Sequence, residues 1–270
     1  MWEGSSSLND ITGVQKVFRL LENWAIGGAD VVVVISEELK KEVLSRALND
    51  NIFVVPNGID ATKFVYKEKS KELLEKYHLK GKVVLGYVGT FSAEYEGLEH
   101  LIKALPGIIN KSAKTALLLV GDGRLRAQLE ALAEKMDVKG KVIFVGKIPH
   151  DLISEYYSLM DICVFPRTRT LETELVTALK PLEAMASGKP IIGSNVGGIQ
   201  ELISEGKTGI LFEAGSTDDL VRKCLILVKD NRMREMLGIH AKTWVMENRQ
   251  WPTVIGRYVS VYNKLVSSVP

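Results

Sequence analysis

Short apolar runs recur along the chain: Ala29 to Ser36, Ile52 to Pro56, Val83 to Gly89, Ala116 to Gly121, Val142 to Gly146, Ile162 to Pro166, Ile191 to Ser194 and Gly209 to Phe212. They are rich in Val, Ile and Leu and apolar throughout rather than alternating, the pattern of parallel strands buried on both faces. Between them the apolar positions recur with helical spacing. Leu98, Leu101, Ile102 and Leu105 form one stripe, Leu125, Leu129, Leu132 and Met136 another, and Leu152, Ile153, Tyr156, Tyr157 and Met160 a third. Ser216-Thr217-Asp218-Asp219 has the form of a capping box opening a helix near Leu220. Strand and helix in alternation predict βαβ units and an α/β fold, a Rossmann-like doubly wound parallel sheet.

The ends depart from this rhythm. Residues 14–28 read as a helix leading into a strand at Val31 to Ile35, with a further helix from Glu37 to Leu48. Val55-Pro56-Asn57-Gly58-Ile59-Asp60 supplies the residues of a turn or linker. After Trp251-Pro252 a terminal helix carries Ile255, Tyr258, Val259, Tyr262 and Leu265. One strand with flanking helices does not make a stable domain, so residues 1–55 are expected to be the tail of a larger N-terminal domain or to pack on the main one.

Composition narrows the field. With 270 residues, 46% hydrophobic and 25% charged, the chain has the make-up of a globular α/β protein. Its 35 basic and 33 acidic side chains leave a formal charge of +2, which argues against a nucleic-acid partner. Cys163 and Cys224 stand far apart in apolar contexts, and the four histidines show no metal spacing. No disulfide framework and no metal site are expected, and a cytoplasmic location is the expectation. No apolar run approaches the roughly 20 residues of a membrane span, and the N-terminus lacks signal-peptide regions. Peripheral contact with the inner face of a membrane remains compatible with this.

Three segments could carry chemistry. Gly86-Tyr87-Val88-Gly89-Thr90-Phe91 ends a strand and Gly97 opens the next helix, which suits either a phosphate loop or a tight strand-to-helix turn. Gly121-Asp122-Gly123-Arg124 follows the next strand, where open α/β sheets bind ligands, but a lone Gly-x-Gly reads first as a turn with a solvated arginine. The third stretch opens with Arg167 and continues through Thr173-Glu174-Leu175-Val176-Thr177 to Lys180-Pro181-Leu182-Glu183-Ala184-Met185-Ala186-Ser187-Gly188-Lys189-Pro190. Pro181 fits the first position of a helix, placing Lys180 at the cap and Glu183 in the first turn. A diphosphate there would meet free amides and the charges of Lys180 and Arg167, while Glu183 could accept from two vicinal ribose hydroxyls. Taken by itself, Glu183 reads as an acid stabilising its own helix start.

Taken in order, Val55 to Asp60, Gly86 to Gly97, Leu119-Val120-Gly121-Asp122-Gly123, Val145-Gly146, Leu182 to Pro190, Val196-Gly197-Gly198-Ile199-Gln200-Glu201 and Gly206-Lys207-Thr208-Gly209 resemble the retaining glycosyltransferases of family 4, the group 1 glycosyltransferases. The form around Thr173 to Glu183 resembles a bacterial branch associated with exopolysaccharide or exosortase gene clusters. The resemblance implies a GT-B architecture of two Rossmann-like domains, the C-terminal one holding a nucleotide diphosphate sugar and the N-terminal one the acceptor. Residues 56–245 would be the donor domain, 1–55 the tail of a truncated acceptor domain, and 246–270 a helix crossing back to it. A separate N-terminal domain or a homo-oligomer is then an expected partner.

By the same resemblance, Gly89, Thr90, Gly121, Lys180, Leu182, Glu183, Gly197 and Gly198 are expected at the donor, with Glu174, Arg167 and Lys180 in catalytic roles. The donor is expected to be a UDP-sugar before GDP or ADP relatives, with no cofactor and no metal, and the acceptor a glycan or a lipid-linked glycan. The departing phosphate oxygen would help deprotonate the incoming hydroxyl, so the protein's task is electrostatic. This sequence departs from the family at two donor contacts, where Thr90 and Glu96 replace an Arg and a Lys. It also departs at the first of two glutamates separated by seven residues, which falls on Leu175, one place after Glu174. Rival expectations are a non-catalytic nucleotide-sugar-binding module and a GT-B nucleotide-sugar epimerase.

Overall fold

The computed structural model describes residues 13–64 and 66–267. Its elements run α1 (Gly13–Gly28), β1 (Val32–Val34), α2 (Glu37–Ser45), β2 (Ile52–Val54), α3 (Lys71–Lys76), β3 (Val83–Val88), α4 (Leu98–Lys111), β4 (Thr115–Val120), α5 (Arg126–Lys135) and β5 (Val142–Gly146). They continue as α6 (Ile153–Leu159), β6 (Ile162–Phe165), α7 (Leu171–Leu175), α8 (Leu179–Ala186), β7 (Ile191–Ser194), α9 (Gly197–Gln200), β8 (Ile210–Phe212), α10 (Thr217–Lys229), α11 (Asn231–Asn248) and α12 (Trp251–Ser267).

The apolar runs from 83 onward form a parallel six-stranded sheet in the order β5-β4-β3-β6-β7-β8. Every residue of β4, β6 and β7 is buried, because helices cover both faces and no strand position points to water. Leu98, Leu101, Ile102 and Leu105 of α4 turn the predicted stripe into that covering layer. From β3 the chain winds outward through β4 to β5, then returns to the far side of β3 for β6, β7 and β8. The reversal between β3 and β6, in register at Leu85↔Ile162 and Gly86↔Cys163, opens a crevice beyond their carboxyl ends.

The first two runs form a separate parallel pair, β1 with β2, registered Val32↔Ile52. Its core is small: Val34, Val43 and Ile52, with Ile26, Val32, Leu39 and Val54 packed around them. Polar pins join it to the larger body. The Ser36 hydroxyl caps α2 by accepting from Leu39 N–H at 3.0 Å and donates to the Leu175 carbonyl. Glu201 Oε1 accepts from the N–H groups of Glu37 (2.8 Å) and Glu38 (3.2 Å). The C-terminal helix α12 returns to this sheet, with Lys264 Nζ 4.9 Å from the centre of the Phe53 ring.

Some boundaries move. The first strand is confined to Val32–Val34, because Ser36 is spent as a helix cap. The second helix stops at Ser45 rather than Leu48, since Ala47 turns left-handed at φ 53°. The helix expected to begin at Pro181 begins at Leu179, so Lys180 lies inside its first turn and Glu183 just beyond it. Pro181 is tolerated there because its missing N–H falls among the amides that have no partner in a helix's first turn. At the Ser216 box only half forms. Ser216 accepts from Asp219 N–H, but the Asp219 carboxylate accepts from Glu213 N–H at 2.8 Å instead of reaching back to Ser216.

Candidate functional site

The crevice at the strand-order reversal is built from the ends of β3 and β6, the turn before α4, and α8. Gly89 follows β3 with its N–H donated to the Val120 carbonyl at 2.9 Å, so that amide serves the sheet, and exposed Thr90 carries the next one. A Cβ on Gly89 would lie 2.6 Å from Lys180 Cε, so the bare glycine is what lets the lysine lie across the strand end. Gly121 sits at φ 138°, where a side chain would overlap the Gly89 carbonyl, and donates to the Gly146 carbonyl at 3.0 Å. Its observed role is to bring the two strand ends together. Arg124 is solvent-facing, its Nε donating to the Ser92 carbonyl at 2.7 Å.

Lys180 does not stand free. Its Nζ is 2.5 Å from Glu96 Oε1 and 3.0 Å from the Tyr87 hydroxyl. Glu96 is buried, and its other oxygen lies 3.9 Å from Arg167 Nε. Arg167 is only 4% exposed, stacks over the Tyr95 ring at 5.2 Å and donates from Nη1 to the Val176 carbonyl at 3.3 Å. Gly97 explains why Glu96 points inward. Its left-handed φ of 70° and missing Cβ let the turn press against the Pro166 carbonyl, which carries residue 96 under Lys180. Burial, then the Glu96 charge, push the Tyr87 phenol well above its usual range, so Tyr87 stays a neutral partner.

Glu183 lies one helical turn beyond Lys180 on the same face of α8. Its carboxylate accepts from the Tyr157 hydroxyl at 3.1 Å and looks into a cleft of about 190 Å³. Gly58, Phe64, His150, Leu179 and Trp251 line that cleft with it. Burial raises the Glu183 pKa, against the pull of Tyr157, His150 and Lys180 in the other direction. A carboxylate desolvated in this way gains from any donor that enters the cleft. Leu182 beside it is a core residue, 1% exposed. A larger hollow of about 350 Å³, lined by Pro106, Met136 and Lys141, lies at the amino ends of β4 and β5, away from this edge.

Glu174 is held apart from Lys180. One oxygen pairs with Arg169 and the other accepts from Gly197 N–H at 2.7 Å, at the start of α9. Gly197 and Gly198 are buried there, and side chains on them would meet the backbone carbonyls of Glu174 and Val176. The predicted residues therefore fall into a strand-end cluster (Gly89, Lys180, Arg167), a cleft end (Glu183) and a loop end (Glu174, Gly197, Gly198). The sequence reading missed Gly58, Phe64 and Trp251 as cleft walls. Asn57-Gly58 was visible only as a turn, and nothing in Trp251-Pro252 signals a partner almost two hundred residues earlier. His150 is exposed and lines the same cleft as Glu183, with its ring 6.0 Å from that of Phe64.

The profile of the family described as glycosyl transferases group 1 matches residues 67–244. The chain belongs to the group 1 glycosyltransferases. An uncharacterized glycosyltransferase of Methanocaldococcus jannaschii is 30% identical over 238 residues, 86% of this chain and 59% of that protein. The N-acetyl-alpha-D-glucosaminyl L-malate synthase of Bacillus anthracis is 28% identical across 94% of this chain and 65% of its own. The chain thus spans roughly three-fifths of these relatives. Among solved structures, the sucrose-phosphate synthase of Thermosynechococcus elongatus superposes with a TM-score of 0.79 at 24% identity, over 97% of this chain and 65% of that one. HepE of Anabaena, solved with UDP, gives 0.80 at 20% identity over 96% and 70%. These likenesses put the Rossmann-like parallel sheet of this group 1 glycosyltransferase among GT-B folds, the architecture that the resemblance implied. No helix among the described residues is long and apolar enough to cross a membrane.

Proposed function

We propose that this chain is the donor-binding part of a retaining glycosyltransferase. It would take a nucleotide diphosphate sugar, UDP-linked first, and serve a glycan or lipid-linked acceptor in polysaccharide or cell-surface biosynthesis. The observation that carries the proposal is the convergence, at the strand-order reversal, of Gly89, Lys180 and the desolvated carboxylate of Glu183. The diphosphate lies across Gly89 and Lys180, near the first turn of α8, where unpaired helix amides face it. The ribose enters the cleft and donates to Glu183. The binding of UDP by the Anabaena neighbour, and of UDP-glucose in a further complex, supports this assignment of the donor.

In this reading the protein supplies no nucleophile. Lys180, held by Tyr87, stabilises charge developing on the leaving diphosphate, and that oxygen assists deprotonation of the acceptor on the same face. Glu174 fixes the Gly197-Gly198 loop beside the sugar, one oxygen paired with Arg169 and the other accepting from Gly197 N–H.

Isothermal titration with UDP, GDP and ADP tests the reading. UDP at 100 times its dissociation constant should add about 2.7 kcal/mol to stability. Lack of binding by all three at millimolar concentration would sink it. A non-catalytic binding module is the second reading, favoured by Glu96 neutralising a cation at the diphosphate end. Sugar transfer by this chain would exclude it.

A further inference from the structure

The buried charges at the diphosphate end do not add up to an open anion site. Lys180 and Arg167 bring two positive charges and Glu96 removes one, so an entering diphosphate meets a net charge of about one. Glu96 is not a stray surface acid. Its side chain is 8% exposed against 24% for Lys180, and the left-handed turn at Gly97 holds it beneath the lysine. An ammonium has three N–H donors. In Lys180 one is directed to Glu96 and one to Tyr87, which leaves one for a ligand oxygen above Gly89.

We propose that Glu96 is a resident counter-anion of the diphosphate subsite, a specificity-determining residue that weakens the hold on doubly charged nucleotides. The proposal rests on the donor reading above. Glu96 keeps Lys180 oriented and solvated while the crevice is empty. When a nucleoside diphosphate arrives, the carboxylate stays beneath the lysine and repels the phosphates through a partly desolvated space. Repulsion over such distances is substantial because little water screens it. The penalty grows with the number of phosphate charges and vanishes for an uncharged nucleoside. The site consequently discriminates less by phosphate count than a site with two free cations, and it releases a nucleoside diphosphate faster.

The experiment compares wild type with Glu96→Gln, which keeps shape and hydrogen bonding and removes the charge. Titrations use uridine, UMP and UDP at two ionic strengths. The UDP dissociation constant is expected to fall about tenfold or more at low salt in the variant, with a smaller gain for UMP and none for uridine. The gain for UDP should shrink as salt rises. A change in packing alone would move all three ligands together, and that result overturns the proposal, as does unchanged or weaker UDP binding. Should wild type and variant both fail to bind UDP, the donor reading falls and this inference with it. If wild type binds UDP and the variant matches it, only this inference falls. The double variant Glu96→Gln/Lys180→Met removes the Lys180–Glu96 ion pair as a unit, leaving Arg167 donating to the Val176 carbonyl, and serves where the single variant does not fold. It is expected to bind UDP no more tightly than wild type, and tighter binding would overturn the role given to the pair.

Discussion

The six-stranded sheet and the two-stranded sheet are made from the same kind of apolar run, yet they hold together in different ways. In the larger, β4 is buried along its whole length between helical layers. In the smaller, the middle residue of β1, Val33, is 38% exposed, and Trp24 on α1 is 79% exposed. A parallel pair needs covering on both faces, and two strands cannot supply it. The body from β3 onward is therefore held by buried area. The 13–54 segment is held as much by directed polar contacts, through Ser36 and Glu201, as by its three-residue core.

The widest contrast is reached by truncating one core residue in each region. Leu118→Ala in β4, where the side chain is fully buried, should cost about 3–5 kcal/mol. Val43→Ala in the small cluster should cost only about 1–2 kcal/mol, since fewer neighbours lose contacts and the site can relax. Urea denaturation of the two variants measures both. Equal losses would mean the small sheet is as tightly integrated as the large one, and the contrast would fail.

The same division explains what could be read from the sequence. Strand positions 83–88, 162–165 and 191–194 were legible because two-sided burial writes an unbroken apolar run. The doubly wound order followed from alternation with helices. The start of α8 was misplaced by two residues because Pro181 marks the first turn and not a specific position within it. Arg167 and Lys180 were legible as cations near a strand end and a helix start. Their shared pairing with Glu96 was not, because partners separated by 84 residues leave no trace in local spacing. Glu174 fell one place from the family position, and the structure gives it a partner of its own in Gly197 N–H.

The cleft at Glu183 lies at the seam between the regions, since Gly58 follows the small sheet and Trp251 begins the helix returning to it. Glu183→Gln should weaken UDP binding about 10- to 100-fold, by replacing charge-assisted hydrogen bonds to the ribose with neutral ones. Burial raises the folded-state pKa of Glu183 above its ordinary 4.5. Its protonated form is thus the one folding favours. That contribution is fully present below pH 4.5 and is lost as pH rises through the higher folded value. Two consequences oppose each other. The unliganded Gln variant should be more stable than wild type at neutral pH, with the advantage fading toward pH 4, while wild-type UDP affinity should increase as pH rises through the same window. Thermal unfolding and titration calorimetry from pH 4 to 8 separate them. Parallel pH trends in the two measurements would place Glu183 outside the donor site.

The smallest effect is expected at the pin itself. Glu201 accepts two α2 amides, yet burial outweighs those amides and raises its pKa. Its charge is therefore a cost and its lone pairs are the benefit, so a neutral acceptor of the same shape should serve nearly as well. Glu201→Gln is expected to change stability by less than about 0.5 kcal/mol, whereas Glu201→Ala, which strands two amides at a helix start, should cost about 1 kcal/mol. The loss should be local. Limited proteolysis should cut the Ala variant faster between residues 28 and 54, while fragments from the six-stranded body appear no sooner than in wild type. Equal cutting of Ala variant and wild type would mean that packing, and not the Glu201 carboxylate, fastens the small sheet to the large one.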